Sequence, residues 1–118
     1  MKTIMLVDDS TSIRNILKNA LVGSYSVVEA ENGQVALDKT KDATVDLFLL
    51  DVNMPVMDGI TLLGELRKIP AHASTPILML TTETKDELRA KGKELGASGW
   101  VVKPCEPDKL LGAIQKLL

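Results

Sequence analysis

Three unbroken apolar runs dominate the chain: Ile4-Met5-Leu6-Val7, Leu47-Phe48-Leu49-Leu50 and Ile77-Leu78-Met79-Leu80. None alternates with polar residues, so none suits a strand with one face in water. Runs of this kind belong to parallel strands covered on both faces. Val27-Val28 and Trp100-Val101-Val102 read as two shorter strands. Between the runs lie helical stripes. Ile13, Ile16, Leu17, Ala20 and Leu21 recur at helical spacing, as do Leu62, Leu63, Leu66 and Ile69 ahead of Pro70. Leu110, Leu111, Ile114, Leu117 and Leu118 form a third stripe. The segments 33–43 and 85–96 are weaker helices, the second marked by Leu88, Gly92 and Leu95. Asn32-Gly33 has the form of a hairpin turn, but residues 34–42 do not read as a strand, so Asn32 is assigned as a helix cap. The alternation is (βα) five times, which predicts an α/β fold: a five-stranded parallel sheet doubly wound by helices on both faces.

Size and charge narrow the function. A chain of 118 residues, 45% apolar and 25% charged, is one globular domain spanning 1–118, with no internal repeat or linker. A net charge of −2 argues against nucleic acid as the main partner. No apolar run approaches the length that crosses a bilayer, and no signal peptide follows Met1 and Lys2. The lone Cys105 has no internal disulfide partner, so a reducing cytoplasm is the expected location. His72 is the only histidine, which excludes catalysis built on two, and in Pro70-Ala71-His72-Ala73-Ser74 it reads as a solvated loop residue.

In a doubly wound sheet the ligand sits outside the carboxyl ends of the strands. There the first strand ends in Val7-Asp8-Asp9-Ser10, the third in Leu50-Asp51, the fourth in Leu80-Thr81-Thr82-Glu83 and the fifth in Val102-Lys103-Pro104. Any one of these has an ordinary reading: Asp9 or Ser10 as a helix cap, Thr81 as a β-branched strand end. Together they bring three carboxylates, hydroxyls and one ammonium to one rim. Two carboxylates ~4 Å apart repel by roughly 4 kcal/mol at an effective dielectric of about 20. Lys103 alone does not offset three acids. A hard divalent cation does, and Mg²⁺ suits a few carboxylates plus a phosphate oxygen.

On Val7-Asp8-Asp9-Ser10, Leu50-Asp51-Val52-Asn53-Met54-Pro55, Met57-Asp58-Gly59, Leu80-Thr81-Thr82-Glu83 and Val102-Lys103-Pro104, the chain resembles the receiver domain of two-component response regulators, from about Lys2 to its end. The resemblance implies a flavodoxin-like (CheY-like) strand order of 2-1-3-4-5. It implies that Asp51 accepts a phosphoryl group from a phosphohistidine on a partner kinase. Asp9 and Asp51 would ligate Mg²⁺ with the main-chain carbonyl of Asn53, and Asp8 would help through a water. Thr81 would hydrogen-bond the phosphoryl group, Lys103 would neutralise it, and the Lys103–Pro104 bond would be cis. Asn53 and Glu83 would flank the attacking water and set phosphate lifetime. The family also turns an aromatic residue of the fifth strand inward on phosphorylation. Here that position holds Trp100 rather than Tyr or Phe, and two readings stand: a switch alongside Thr81, or a half-buried residue at the sheet edge. Cys105 replaces the usual Phe and reads as a small filler.

Within the receivers, the last third of the chain looks like the single-domain chemotaxis regulators, with no output domain expected. That group implies a chemotaxis histidine kinase upstream and a flagellar motor switch protein or a phosphatase downstream, with the protein a monomer. Lys85, Lys91, Trp100 and Lys109 are the candidate partner surface, solvated charges being the alternative for the lysines. A phosphorelay shuttle or phosphate sink is the neighbouring reading. An enzyme reading, an Mg²⁺-dependent aspartyl-phosphate phosphatase, wants an acid where this chain has Asn53. An FMN carrier is disfavoured because Asp8-Asp9 occupies the loop a cofactor phosphate would need.

Overall fold

The computed structural model describes residues 1–52, 54, 56–81, 86–103 and 106–118, apart from the side chains of residues 86 and 88. Five strands, β1 (Thr3–Val7), β2 (Ser26–Ala30), β3 (Leu47–Asp51), β4 (Ile77–Thr81) and β5 (Gly99–Val102), form one sheet. All neighbouring pairs are parallel, and the order is β2-β1-β3-β4-β5, as the resemblance implied. The helices are α1 (Thr11–Leu21), α2 (Gly33–Thr40), α3 (Gly59–Arg67), α4 (Asp86–Glu94) and α5 (Pro107–Leu117), with a short 3₁₀ turn at Pro70–His72.

The continuous apolar runs are explained by two cores, one on each face of the sheet. Met5, Val7, Phe48, Leu50, Ile77 and Met79 pack with Leu62, Leu63 and Leu66 of α3 and Ala36 of α2. Their strand neighbours Ile4, Leu6, Leu47, Leu49, Leu78 and Leu80 face the other way, onto Leu17 and Leu21 of α1 and Leu110 and Ile114 of α5. Successive side chains of a strand point to opposite faces, so a sheet covered on both sides needs apolar residues at every position.

Caps set where the helices begin. The Ser10 hydroxyl accepts from the Ile13 amide at 3.3 Å, and the Asn32 side chain accepts from the Val35 amide at 2.9 Å, so Asn32 is the cap its context predicted. Asp58 does the same for α3, accepting from Thr61 at 2.8 Å.

His72 corrects an expectation. It is buried, its ring meeting Phe48 edge-on with centroids 4.9 Å apart, and its Nδ1 lies 3.0 Å from the Thr75 hydroxyl. Arg67 holds the same turn, donating to the main-chain oxygens of His72 and Thr75 at 2.9 and 2.6 Å. Pro70, Ala71, Ala73 and Ser74 of this turn are exposed, and His72 is the residue it buries.

Candidate functional site

The carboxyl ends of β1, β3, β4 and β5 meet at one rim. Asp51 is the last residue of β3 and Thr81 the last of β4, both buried within the sheet. Asp8 follows β1 directly, and its amide donates to the Ala30 carbonyl at 3.1 Å, which prolongs the β1–β2 ladder by one bond. Asp9, the next residue, is exposed. One carboxylate oxygen from each of Asp8, Asp9 and Asp51 lies within 4.8 Å of the others. That spacing suits a hard cation with oxygen ligands, and Mg²⁺ fits this donor set.

Lys103 answers two of the acids. Its Nζ donates to Asp8 Oδ2 at 3.0 Å and lies 3.2 Å from Asp51 Oδ1. Burial pulls the Lys103 ammonium down, but the bond to Asp8 and the charges of Asp51 and Asp8 outweigh it and hold its pKa above the ordinary value. The ammonium is therefore permanently charged near neutrality. The Lys103 amide also donates to the Thr81 carbonyl at 2.7 Å, so the backbone that carries the cation is tied to the end of β4.

Asp8 is the hub of the site. Its other carboxylate oxygen accepts from the Ser10 amide at 2.9 Å, and its main-chain oxygen accepts from Arg14 at 2.6 Å. Arg14 in turn lies 3.5 Å from Glu29 of β2, which also pairs with Lys18 at 3.3 Å. Arg14 is a supporting residue that sequence reasoning misses. Its position one turn into α1, after a cap, is the available signal.

The Met57-Asp58-Gly59 signature acquires a physical reason. A side chain at Gly59 would run into the main-chain oxygen of Asp51, so only glycine lets α3 begin against the end of β3. The Gly59 amide donates to the Val52 carbonyl at 2.9 Å and closes the loop between them. Met57 lies over Gly33, where an added Cβ would come within 2.8 Å of the Met57 Cβ.

Trp100 sits half-buried on β5 against the α2–α3 core, with its benzo ring over Gly92 of α4. Its indole nitrogen is buried and has no hydrogen-bond partner among the described residues. Beside it opens a cleft of about 280 Å³ lined by Arg89, Lys93, Ala97, Ser98, Gly99 and Trp100. Lys91 and Lys109 are exposed but do not line it; Arg89 and Lys93, four positions apart on α4, are the cations that do. Asn53, Glu83, Lys85, Cys105 and the Lys103–Pro104 bond lie outside the described residues. No helix among the described residues is long and apolar enough to cross a membrane.

The response regulator receiver domain family matches residues 4–115. Chemotaxis protein CheY of Bacillus subtilis is 39% identical over 117 residues, covering 98% of this chain and 96% of the relative. Transcriptional regulatory protein ResD of the same organism is also 39% identical, but the chain spans only 47% of its length. Among solved structures, chemotaxis protein CheY4 of Vibrio cholerae superposes with a TM-score of 0.96 at 44% identity, covering 100% of this chain and 99% of that one. Response regulator TrrA of Thermotoga maritima, solved in complex with Mg²⁺-BeF, matches with a TM-score of 0.88 at 36% identity over the full length of both chains. With strand order, acidic cluster and sequence in agreement, the chain belongs to the response regulator receiver domain family.

Proposed function

We propose that this domain is a phospho-accepting response regulator, charged on Asp51 by a sensor histidine kinase in an Mg²⁺-dependent reaction. The observation that carries the reading is the placement of Asp51: buried at the end of β3, within reach of the Asp8 and Asp9 carboxylates and 3.2 Å from the Lys103 ammonium. Asp8, Asp9 and Asp51 would hold the ion, with the Asn53 carbonyl expected from the resemblance. Bound there, Mg²⁺ would neutralise charge on the phosphoryl oxygens.

The chain's own residues do the rest. An Asp51 carboxylate oxygen forms the new bond to phosphorus while the bond from phosphorus to the donor's imidazole nitrogen breaks, and the electron pair leaves with the imidazole, which takes up a proton. Such transfers need positioning and charge stabilisation more than covalent help. Lys103 supplies a fixed positive charge on one side of the acceptor. The Thr81 hydroxyl donates to a phosphoryl oxygen once the acyl phosphate has formed, and Trp100 of the neighbouring strand is the residue through which β5 and α4 feel the change.

The output is binding. A phosphoryl group adds charge and acceptors that bias loops by new hydrogen bonds. Chemotaxis is the favoured setting, because chemotaxis proteins of B. subtilis and V. cholerae are similar to the chain at 39% and 44% identity. We infer a cytoplasmic protein, with a flagellar motor switch protein as the downstream class and a histidine phosphotransfer protein, as in a relay or a phosphate sink, as the competitor. The family is a signalling one, which favours regulation over the phosphatase reading. The test is phosphotransfer from a phosphorylated chemotaxis kinase. Loss of label from the kinase and its gain here, abolished by a chelator, is the expected result. Undiminished transfer in excess chelator refutes the metal assignment.

A further inference from the structure

We propose that Val56 is a docking contact for the phosphohistidine-bearing protein that charges Asp51, a specificity residue whose side chain works outside this chain. The inference rests on the proposed role of Asp51. Val56 has a φ of +70°, and no other non-glycine residue among those described has a positive φ. That conformation presses Cβ toward the following carbonyl, is tolerated by glycine or asparagine, and is worst for a β-branched side chain. The same residue is 82% exposed. Neither the backbone nor the core therefore favours valine at this position.

The surrounding loop is anchored on both sides. Met54 is buried in the core, Met57 is seated over Gly33, Asp58 caps α3, and the Gly59 amide is bonded to the Val52 carbonyl at 2.9 Å. These anchors hold the described residues on both sides of Val56, whose isopropyl group is left in solvent. Strained residues of this kind persist where their surroundings over-determine them, and they gather at binding and catalytic sites.

Position selects the occupant. Asp51 is only 5% exposed, so a donor must reach it past the loops at the carboxyl ends of the strands. The loop from β3 to α3 is one of these, pinned to Asp51 by the close approach of Gly59. A small donor needs only the acids and Lys103. A protein donor must lay its surface on the rim, and the outward Val56 offers that surface an apolar contact.

The experiment uses the full chain with Val56→Gly, Val56→Asn and Val56→Ile. Three quantities are compared: the thermal midpoint, the rate of labelling by acetyl phosphate, and the rate of transfer from the phosphorylated phosphotransfer domain of a chemotaxis kinase at limiting concentration. The glycine and asparagine variants should melt higher and keep the acetyl phosphate rate. They should lose about tenfold in transfer from the protein donor, the effect of one buried apolar contact. The isoleucine variant should retain transfer. Unchanged transfer in the glycine and asparagine variants overturns the proposal, as does a parallel fall with acetyl phosphate, which would place Val56 inside the reaction. Failure of both donors to label the unmodified protein would instead refute the reading of Asp51.

Discussion

The Lys103 ammonium donates to the Asp8 carboxylate at 3.0 Å, joining residues 95 positions apart in the chain. With Asp51 at 3.2 Å on its other side, Lys103 is the cation that lets two buried carboxylates share one end of the sheet.

Removing that cation should be costly. Lys103→Met leaves Asp8 and Asp51 buried without their ammonium, and breaking a buried pair from one side costs about 3–5 kcal/mol. Denaturant unfolding in metal-free buffer should show a loss of that order, part of which Mg²⁺ restores. An unchanged midpoint would mean the pair contributes nothing.

Removing an acid should do the reverse. Among the described residues three carboxylates face one ammonium, so Asp51→Asn relieves repulsion and should raise the thermal midpoint in metal-free buffer. Mg²⁺ at a hundred times its dissociation constant should add about 2.7 kcal/mol to the unmodified protein and less to the variant. Equal responses would detach the ion from Asp51.

How far this arrangement is legible from sequence differs by residue. Ile4–Val7, Leu47–Leu50 and Ile77–Leu80 announce a doubly covered parallel sheet because every position on them is apolar. Asp8, Asp9, Asp51, Thr81 and Lys103 announce the rim because each lies at the end of a strand. The strand order comes from resemblance alone, since periodicity says which faces are buried and not which strands pair. The burial of His72 escapes a sequence reading because it depends on Phe48, a strand residue that no local pattern connects to the turn. The cleft cations Arg89 and Lys93, the support from Arg14 and the backbone of Val56 depend on tertiary placement, which charge and spacing do not encode.

His72 should make stability fall on acidification. Burial, and then the charge of Arg67, hold its pKa below the ordinary 6.5. Below that value the unfolded chain binds the proton more readily than the folded one. The stability from neutral His72 is therefore whole above pH 6.5 and is lost as pH falls toward the folded value. A His72→Gln variant lacks this component. Urea unfolding of the two proteins should give a difference that shrinks between about pH 7 and pH 5. A constant difference would show that folding does not lower the pKa of the His72 imidazole.

Gly92 should behave unlike an ordinary helix glycine. Alanine for glycine inside a helix usually gains about 1 kcal/mol. Here an added Cβ would lie 2.7 Å from Cζ3 of Trp100, so the indole must move. Gly92→Ala should shift the emission of this sole tryptophan and gain no stability, whereas in a Trp100→Val background the same change should recover the usual gain. Identical effects in both backgrounds would separate the glycine from the indole.

Whether Asp51 is the residue that the acidic rim exists to charge is decided by intact mass after acetyl phosphate and Mg²⁺. The unmodified protein should gain one phosphoryl group and the Asp51→Asn variant none. A phosphoryl group on the variant, at the same level as on the unmodified protein, would place the acceptor at another residue.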